Sequence, residues 1–250
     1  MSEILYEKCK LSSFDKNYTT EVYLKNPDKY RQLEKDSLKA ESLISRGAGY
    51  SYVAASFKKE TLSLSMKNFN RILYFDEKKK LITVEAGMTI IELLNFTLGV
   101  GMWIPQIPGY PFISIGGAVA SNVHGKSAEL HGTIKNAIKD ILIFHKDHGW
   151  LNLSNDEISI IPSFRCYLEA LKRTIYKIVL MAIRLSIIVP VYNIKKYLKG
   201  CLNSICEQVR KNVEVIIVNE CSTDGSIKIC KNVGFKFLRK ENDFLIFKKS

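Results

Sequence analysis

Two glycine-containing segments hold the residues best suited to chemistry. Gly47 and Gly49 lie in SRGAGYSY, while Gly109, Gly116, Gly117 and Gly125 recur along a second stretch kept slim by Ala118, Ala120 and Ser121. Small residues expose backbone N–H groups, and glycine permits both close approach and positive φ, so such turns can surround a diphosphate. The first turn does not meet the dinucleotide fingerprint of a βαβ unit, because the strand-like TLSLS follows it rather than a helix. The six cysteines, at 9, 166, 201, 206, 221 and 230, form no CxxC pair and no metal-ligand spacing, so no metal is expected.

The elements around these turns can be read from periodicity. DKYRQLEKDSLKAE predicts a surface helix, and SLISR a strand entering the first glycine turn. RILYF and LITVEAG flank the charged tip DEKKK as a hairpin; DILIF and WLNLS flank KDHG as another. Thr89 caps a helix whose apolar positions are Ile90, Leu93, Leu94 and Leu98. FRCYLEALKRTIYKIVLMAI has the period of a basic amphipathic helix, read as a linker or packing helix, with a membrane-surface helix as the alternative. From Arg184 the order is strand, helix, strand. LSIIVPVY and VEVIIV read as strands buried on both faces of a parallel sheet, Asn193 as a helix cap, and FKFLRK as a third strand. Ligands of such sheets sit at the carboxyl ends of the strands.

Four stretches, SRGAGYSY, LITVEAGMTIIELLN, MWIPQIPGYPFISIGGAVASNVHGK and the ILIF hairpin, occur in an order and at intervals that resemble the FAD-binding domain of the vanillyl-alcohol-oxidase or PCMH type. Within it the pattern looks most like the decaprenylphosphoryl-ribose and sugar-lactone oxidases, over about residues 40–150. The resemblance implies FAD between two α/β lobes, with Ser45, Arg46, Gly47, Ala48, Gly49, Tyr50, Ser51 and Tyr52 around the pyrophosphate. It implies that Gly109, Ser114, Ile115, Gly116 and Gly117 line the cofactor, that Ser121, Asn122, Val123 and His124 run toward the isoalloxazine, and that Lys126 faces the substrate. A sugar or polyol hydroxyl would be oxidised as hydride passes to the flavin. Tyr50 stands where some relatives carry a flavin-linked histidine, so FAD is expected to be non-covalent there. Val53-Ala54 replaces the Gly-Asp of close relatives. Beside these readings, Arg46 also reads as a surface ion-pair partner and His124 as a turn histidine. The family's further strands, substrate domain and catalytic lysine have no counterpart in this reading, so the catalytic residues are unknown and the domain is expected to be truncated.

SIIVPVYNIKKYLKGCLNSI and VEVIIVNECSTDGS resemble the amino-terminal half of family 2 glycosyltransferases of the GT-A fold, over about residues 184–240. That resemblance places Pro190, Val191 and Tyr192 at the strand end facing a nucleoside, with Glu220 and Asp224 in the acidic loop; Asp224 also reads as a helix cap. The expected fold is therefore α/β: an α+β flavin-binding domain at 1–155, a linker or packing helix at 156–183, and an α/β nucleotide-binding half-domain at 184–250. The expected function is FAD-linked oxidation of a sugar alcohol or sugar lactone, inactive if truncated. The alternative is a sugar-nucleotide glycosyltransferase fragment or component in cell-surface polysaccharide synthesis.

The formal charge of +12 divides unevenly: 20 Lys/Arg against 16 Asp/Glu through Trp150, and 17 against 9 beyond it. No basic stripe alternates with aromatics, so no nucleic-acid partner is expected, and a solvated basic surface is the plainer reading. No apolar run approaches the ~20 residues needed to span a bilayer. MSEILYEKCK lacks the apolar core of a signal peptide, giving a cytoplasmic expectation that includes peripheral attachment at the inner membrane face.

Overall fold

The computed structural model describes residues 6–40, 42–52, 54–145, 148–159, 173–209, 213–241 and 244–249. Two compact units result, one of Met1–Leu94 with Ile104–Ala182, the other of Asn95–Trp103 with Ile183–Ser250.

In the first unit, β1 (Glu7–Ser12), β2 (Thr19–Lys25), β3 (Leu43–Arg46) and β4 (Leu62–Ser65) form a sheet of order β1-β2-β4-β3. β1 and β2 are antiparallel, whereas β4 runs parallel to both its neighbours. The central strand β4 is buried along its whole length, and the hydroxyl of Ser63 is satisfied by donating to the Ser56 carbonyl at 3.2 Å. Helix α1 (Tyr30–Lys39) buries Leu33, Asp36 and Ser37. Asp36 pairs with Lys25 at 2.7 Å, a buried charge kept tolerable by its counter-ion.

The second sheet of this unit has the order β5-β6-β10-β8-β9, antiparallel throughout: β5 (Ile72–Asp76), β6 (Leu81–Glu85), β8 (Ile138–His145), β9 (Gly149–Ser154) and β10 (Arg173–Met181). Both expected hairpins form; residues 146 and 147 of the KDHG turn lie outside the described residues. The expected amphipathic helix at 164–183 is corrected. Residues 160–172 lie outside the described residues, and 173–181 is a strand. Ile178 and Leu180 are fully buried while Met181 is exposed, a period of two. The β-branched and aromatic residues of TIYKIV suit a position between two strands, and pairing with β6 and β8 overrides a helical pattern that is ambiguous in so short an apolar run. A strand thus follows the β8–β9 hairpin in this sheet, and the compact unit reaches Ala182 rather than residue 155.

Helix α2 (Ile90–Gly99) opens with a reciprocal cap. The Thr89 N–H donates to the Glu92 carboxylate at 2.7 Å, and the Glu92 N–H donates to Thr89 Oγ1 at 3.3 Å. Its residues from Asn95 onward belong with the second unit. Short helices α3 (Ile115–Ala120), α4 (Ala128–His131), α5 (Ile134–Ala137) and α6 (Asn155–Ser159) complete the first unit. None of the described helices is long and apolar enough to cross a membrane.

In the second unit, β7 (Met102–Trp103) pairs antiparallel with β11 (Ile183–Arg184). A mixed sheet of order β12-β13-β15-β14 follows, from β12 (Ser186–Val191), β13 (Glu214–Glu220), β14 (Lys236–Glu241) and β15 (Phe244–Lys249). β12 and β13 are parallel as expected, but β15 intervenes antiparallel between β13 and β14. Helices α7 (Lys195–Gln208) and α8 (Ser226–Asn232) supply Leu198, Leu202 and Cys230 to the core with Val189, Val191, Val215 and Ile217. The expectation that β12 is buried on both faces is corrected. Val189 and Val191 are buried on the helix side, whereas Ile188 is 63% exposed on the other. Among the described residues the two helices cover one face only.

Candidate functional site

The first glycine turn leaves β3 and its parallel ladder with β4. Ser45 is still in that ladder opposite Leu64, and the carbonyl of Arg46 accepts from Met66 N–H at 2.8 Å, after which pairing stops. From Gly47 through Tyr52, no backbone N–H finds an acceptor among the described residues. The turn is tight: Gly49 has φ +83°, and a Cβ there would collide with the Arg46 guanidinium. Ala48 and Tyr52 are exposed and the residues between them half-buried. Val53, one of the two departures from the family pattern, lies outside the described residues.

Among the described residues Arg46 makes no ion pair. Its Nη1 donates to Ser56 Oγ at 2.8 Å and its guanidinium lies 5.6 Å from the Phe57 ring centroid, with no carboxylate partner among the described residues. Burial lowers its pKa, the mark of a cation short of solvent and of an anion.

The second segment meets the first at Ser114. A Cβ on Gly47 would run into the Ser114 side chain, so the two glycine stretches touch although they are far apart in sequence. Ser114 is buried and caps α3, accepting from the Gly117 N–H at 3.3 Å. Two neighbours have their N–H groups already committed: Ile115 donates to the Met88 carbonyl at 2.7 Å, and Gly116 to the Ala86 carbonyl at 2.8 Å. The Ile115 side chain is fully buried, and a Cβ on Gly116 would approach Ala86 at 3.0 Å. These two residues seat α3 on the strand end. Gly109, by contrast, is exposed, and a Cβ added there would meet nothing within 4 Å. Gly117, Ser121, Asn122, His124 and Lys126 are all exposed, and Val123 half-buried. Asn122 takes φ 45°, turning the chain so that Val123 N–H reaches the Ala118 carbonyl at 3.1 Å and the Val123 carbonyl accepts from Ile134 at 2.8 Å. His124 forms an isolated antiparallel bridge with Thr133. Gly125 is required by crowding, since a Cβ would sit 2.5 Å from the Ile107 carbonyl oxygen.

Two features escaped the sequence reading. The first is a cluster of rings from three segments. Tyr50 and Tyr110 have centroids 4.9 Å apart, Phe14 lies 5.3–5.8 Å from Tyr50, Tyr52 and Tyr110, and Phe112 lies 5.2 Å from Tyr110. Phe14, Tyr52, Tyr110 and Phe112 are 41–69% exposed. A hydrogen bond with Tyr50 raises the Tyr110 phenol above its ordinary pKa. The main chain reinforces the contact, with Phe14 N–H donating to the Ser51 carbonyl at 3.0 Å.

The second is the surroundings of Glu85, the residue before the Ala86 carbonyl that anchors α3. Its carboxylate is fully buried and accepts from Arg71 Nη2 at 2.7 Å, Arg71 Nε at 3.1 and 3.2 Å, the Arg71 N–H at 2.8 Å and the Tyr30 hydroxyl. Burial pushes the Glu85 pKa up, but the bonds from Arg71 and Tyr30 outweigh it and hold the group below the usual carboxylate range. Burial and the bond to Glu85 raise the Tyr30 phenol in turn.

In the second unit, the loops at the carboxyl ends of the parallel strands β12 and β13 are joined by three bonds. Asn193 N–H donates to Ser222 Oγ at 3.0 Å, Thr223 N–H to Asn193 Oδ1 at 2.9 Å, and Lys195 N–H to Asp224 Oδ2 at 2.8 Å. Asn193 therefore does not cap α7 as expected. It adopts φ 48°, and Asp224 takes the first N–H of that helix from across the gap. The other oxygen of Asp224 accepts from the Ser226 hydroxyl at 2.6 Å and N–H at 3.0 Å at the start of α8, and these bonds lower its pKa. Both carboxylate oxygens are thus engaged in capping. Pro190, Tyr192 and Glu220 are exposed, while Val191 is buried in the core. Asn219 is fully buried, and neither Oδ1 nor Nδ2 has a partner among the described residues.

Residues 31–152, which lie within the α+β first unit, match the family described as FAD binding domain. Residues 186–246 match glycosyl transferase family 2. Similar proteins follow this division. Decaprenylphosphoryl-beta-D-ribose oxidase of Mycolicibacterium smegmatis is 31% identical over 99 residues, covering 40% of this chain and 22% of its own length. Glycosyltransferase GlyA of Streptococcus pneumoniae is 52% identical over 48 residues, covering 19% of this chain and 7% of its own. Among solved structures, an alkyldihydroxyacetonephosphate synthase superposes with a TM-score of 0.59 at 19% identity, over 66% of this chain and 32% of that one. A cholesterol oxidase of Brevibacterium sterolicum reaches 0.62 at 15% identity, over 73% and 38%. These two share the fold. The chain therefore spans well under half the length of each of these relatives.

Proposed function

We propose that the first unit binds FAD non-covalently and serves as the cofactor domain of an oxidoreductase acting on a sugar or polyol hydroxyl. The observation that carries this reading is the run of unbonded N–H groups from Gly47 to Tyr52, beside an Arg46 guanidinium with no carboxylate partner among the described residues. Both are suited to a diphosphate, which accepts several N–H bonds and offers the counter-charge that Arg46 lacks. Ser45 to Tyr52 hold the diphosphate. Ser114, Ile115 and Gly116 act from behind by fixing α3, and the open Gly109 and Gly117 leave room for the cofactor. Ser121, Asn122, Val123 and His124 provide the wall along the flavin, and Lys126 faces the substrate side. Bound FAD supplies acceptance of a hydride from the carbon bearing the hydroxyl. Tyr50, whose ring packs against Tyr110, offers no imidazole for attachment, in keeping with non-covalent binding. FAD present at about 100 times its Kd is expected to stabilise the protein by about 2.7 kcal/mol in thermal or denaturant unfolding. Unfolding that ignores FAD at every concentration tested contradicts the proposal.

A second reading concerns the other unit. Asn219, buried with its amide unpaired at the carboxyl end of β13 and next to exposed Glu220, supports a nucleotide-sugar site with Pro190, Val191, Tyr192 and Glu220. Asp224 serves it by joining the two loops. Calorimetric binding of UDP that disappears in Asn219→Leu is the expected result; equal heats for both proteins exclude Asn219 from such a site.

A further inference from the structure

We infer that the ring cluster of Phe14, Tyr50, Tyr52, Tyr110 and Phe112 is a stacking platform for a planar ring of the dinucleotide. The inference rests on the proposed flavin reading and extends it to residues outside both glycine turns. Three segments of the first unit converge on this cluster, and its members contact one another mostly at steep interplanar angles, 72–82° for the Phe14–Tyr50, Phe14–Tyr52 and Tyr50–Tyr110 pairs. Steep packing places the edge of one ring on the face of the next, and the outer members remain exposed. A contiguous exposed aromatic patch of this kind is uncommon on a surface that has nothing to bind.

Its position selects the occupant. Tyr50 and Tyr52 belong to the run of unbonded N–H groups, and Tyr110 follows the open Gly109, so the platform is continuous with the proposed diphosphate turn. A dinucleotide carries a planar heteroaromatic ring on each side of its diphosphate. One of them, isoalloxazine or adenine, is therefore delivered to the rings once the diphosphate is seated. Hydrogen bonding between Tyr50 and Tyr110 and the Phe14 N–H bond to Ser51 hold the three segments together before the ligand arrives. Little ordering then remains to oppose binding.

The test is fluorescence titration with FAD, and in parallel with FMN and ADP, of the wild-type chain and of Phe14→Ala, Tyr110→Ala and Tyr110→Phe, with melting curves confirming the fold of each. By analogy with base stacking on aromatics, each alanine variant is expected to weaken FAD binding about fivefold or more, while Tyr110→Phe, which keeps the ring, stays within about threefold of wild type. Weakening shared with FMN assigns the isoalloxazine, and weakening shared with ADP assigns adenine; either supports the platform. Wild-type binding with unchanged affinity in both alanine variants overturns it while leaving the flavin reading intact. Equal losses in Tyr110→Ala and Tyr110→Phe also overturn it, by assigning the effect to the hydroxyl. Absence of FAD and FMN binding by the wild type overturns the platform and the flavin reading together.

Discussion

Gly49→Val is expected to weaken FAD binding by about 100-fold or more, with the rest of the fold retained. The backbone at Gly49 has φ +83°, which costs an L-residue roughly 1–2 kcal/mol, more for a β-branched side chain. The new Cβ also falls on the Arg46 guanidinium. The turn relieves both problems by moving, and either Arg46 or the N–H run then leaves its place. Gly200→Ala, outside the proposed flavin site, is the matched control: nothing lies within 4 Å of the added carbon, φ is not positive, and neither folding nor FAD binding should be affected. Fluorescence titration measures both variants. A dissociation constant for Gly49→Val equal to that of wild type removes the turn from the site.

Arg71→Ala should cost the first unit about 3 kcal/mol, measured by urea unfolding at pH 7. The figure is the top of the about 1–3 kcal/mol for leaving a buried acceptor short of a partner, since the acceptor is charged while the Tyr30 hydroxyl and the Arg71 N–H still donate to it. Arg71 is itself 60% exposed, so the penalty lies with the carboxylate left behind, which is fully buried. The pH dependence follows from the direction of the shift. Glu85 has a folded pKa below its unfolded value, so its contribution is complete above about pH 5 and disappears as pH falls through the folded value. Tyr30 is shifted upward, so its contribution is present below about pH 10 and lost at higher pH. Wild type should show a plateau between these limits, and its advantage over Arg71→Ala should shrink below pH 4. A constant difference from pH 3 to pH 7 would show that Glu85 is not the group responsible.

Local pattern makes much of the first unit legible. LITVEAG alternates as a strand should, TLSLS ends the first turn as a strand rather than a helix, and Thr89 with Glu92 forms a cap between residues three apart. The two glycine stretches are legible as small-residue surfaces, but not which of their N–H groups are available. Those of Ile115 and Gly116 are donated to Met88 and Ala86, a pairing that depends on how β6 meets α3. β10 is hidden for a related reason: RTIYKIVLM is ambiguous in period, and only its neighbours across the sheet decide it. The ring cluster and the Tyr30–Glu85 contact join residues distant in sequence, so no local rule reveals them. One signal is present. Glu85 is a carboxylate beside two inward-facing residues at the end of an otherwise apolar strand, and a buried charge there requires a partner. In the second unit, Asp224 reads both as a cap and as a nucleotide contact, and its bonds to Lys195 and Ser226 account for both of its oxygens.

In the proposed function, the turn from Ser45 to Tyr52 and the segment from Gly109 to Lys126 together form a flavin site. The most direct measurement is the visible absorbance spectrum of the purified, gel-filtered protein before and after incubation with FAD. Flavin bands that remain with the protein through gel filtration are the predicted result. A colourless protein that emerges unchanged after exposure to excess FAD would contradict it.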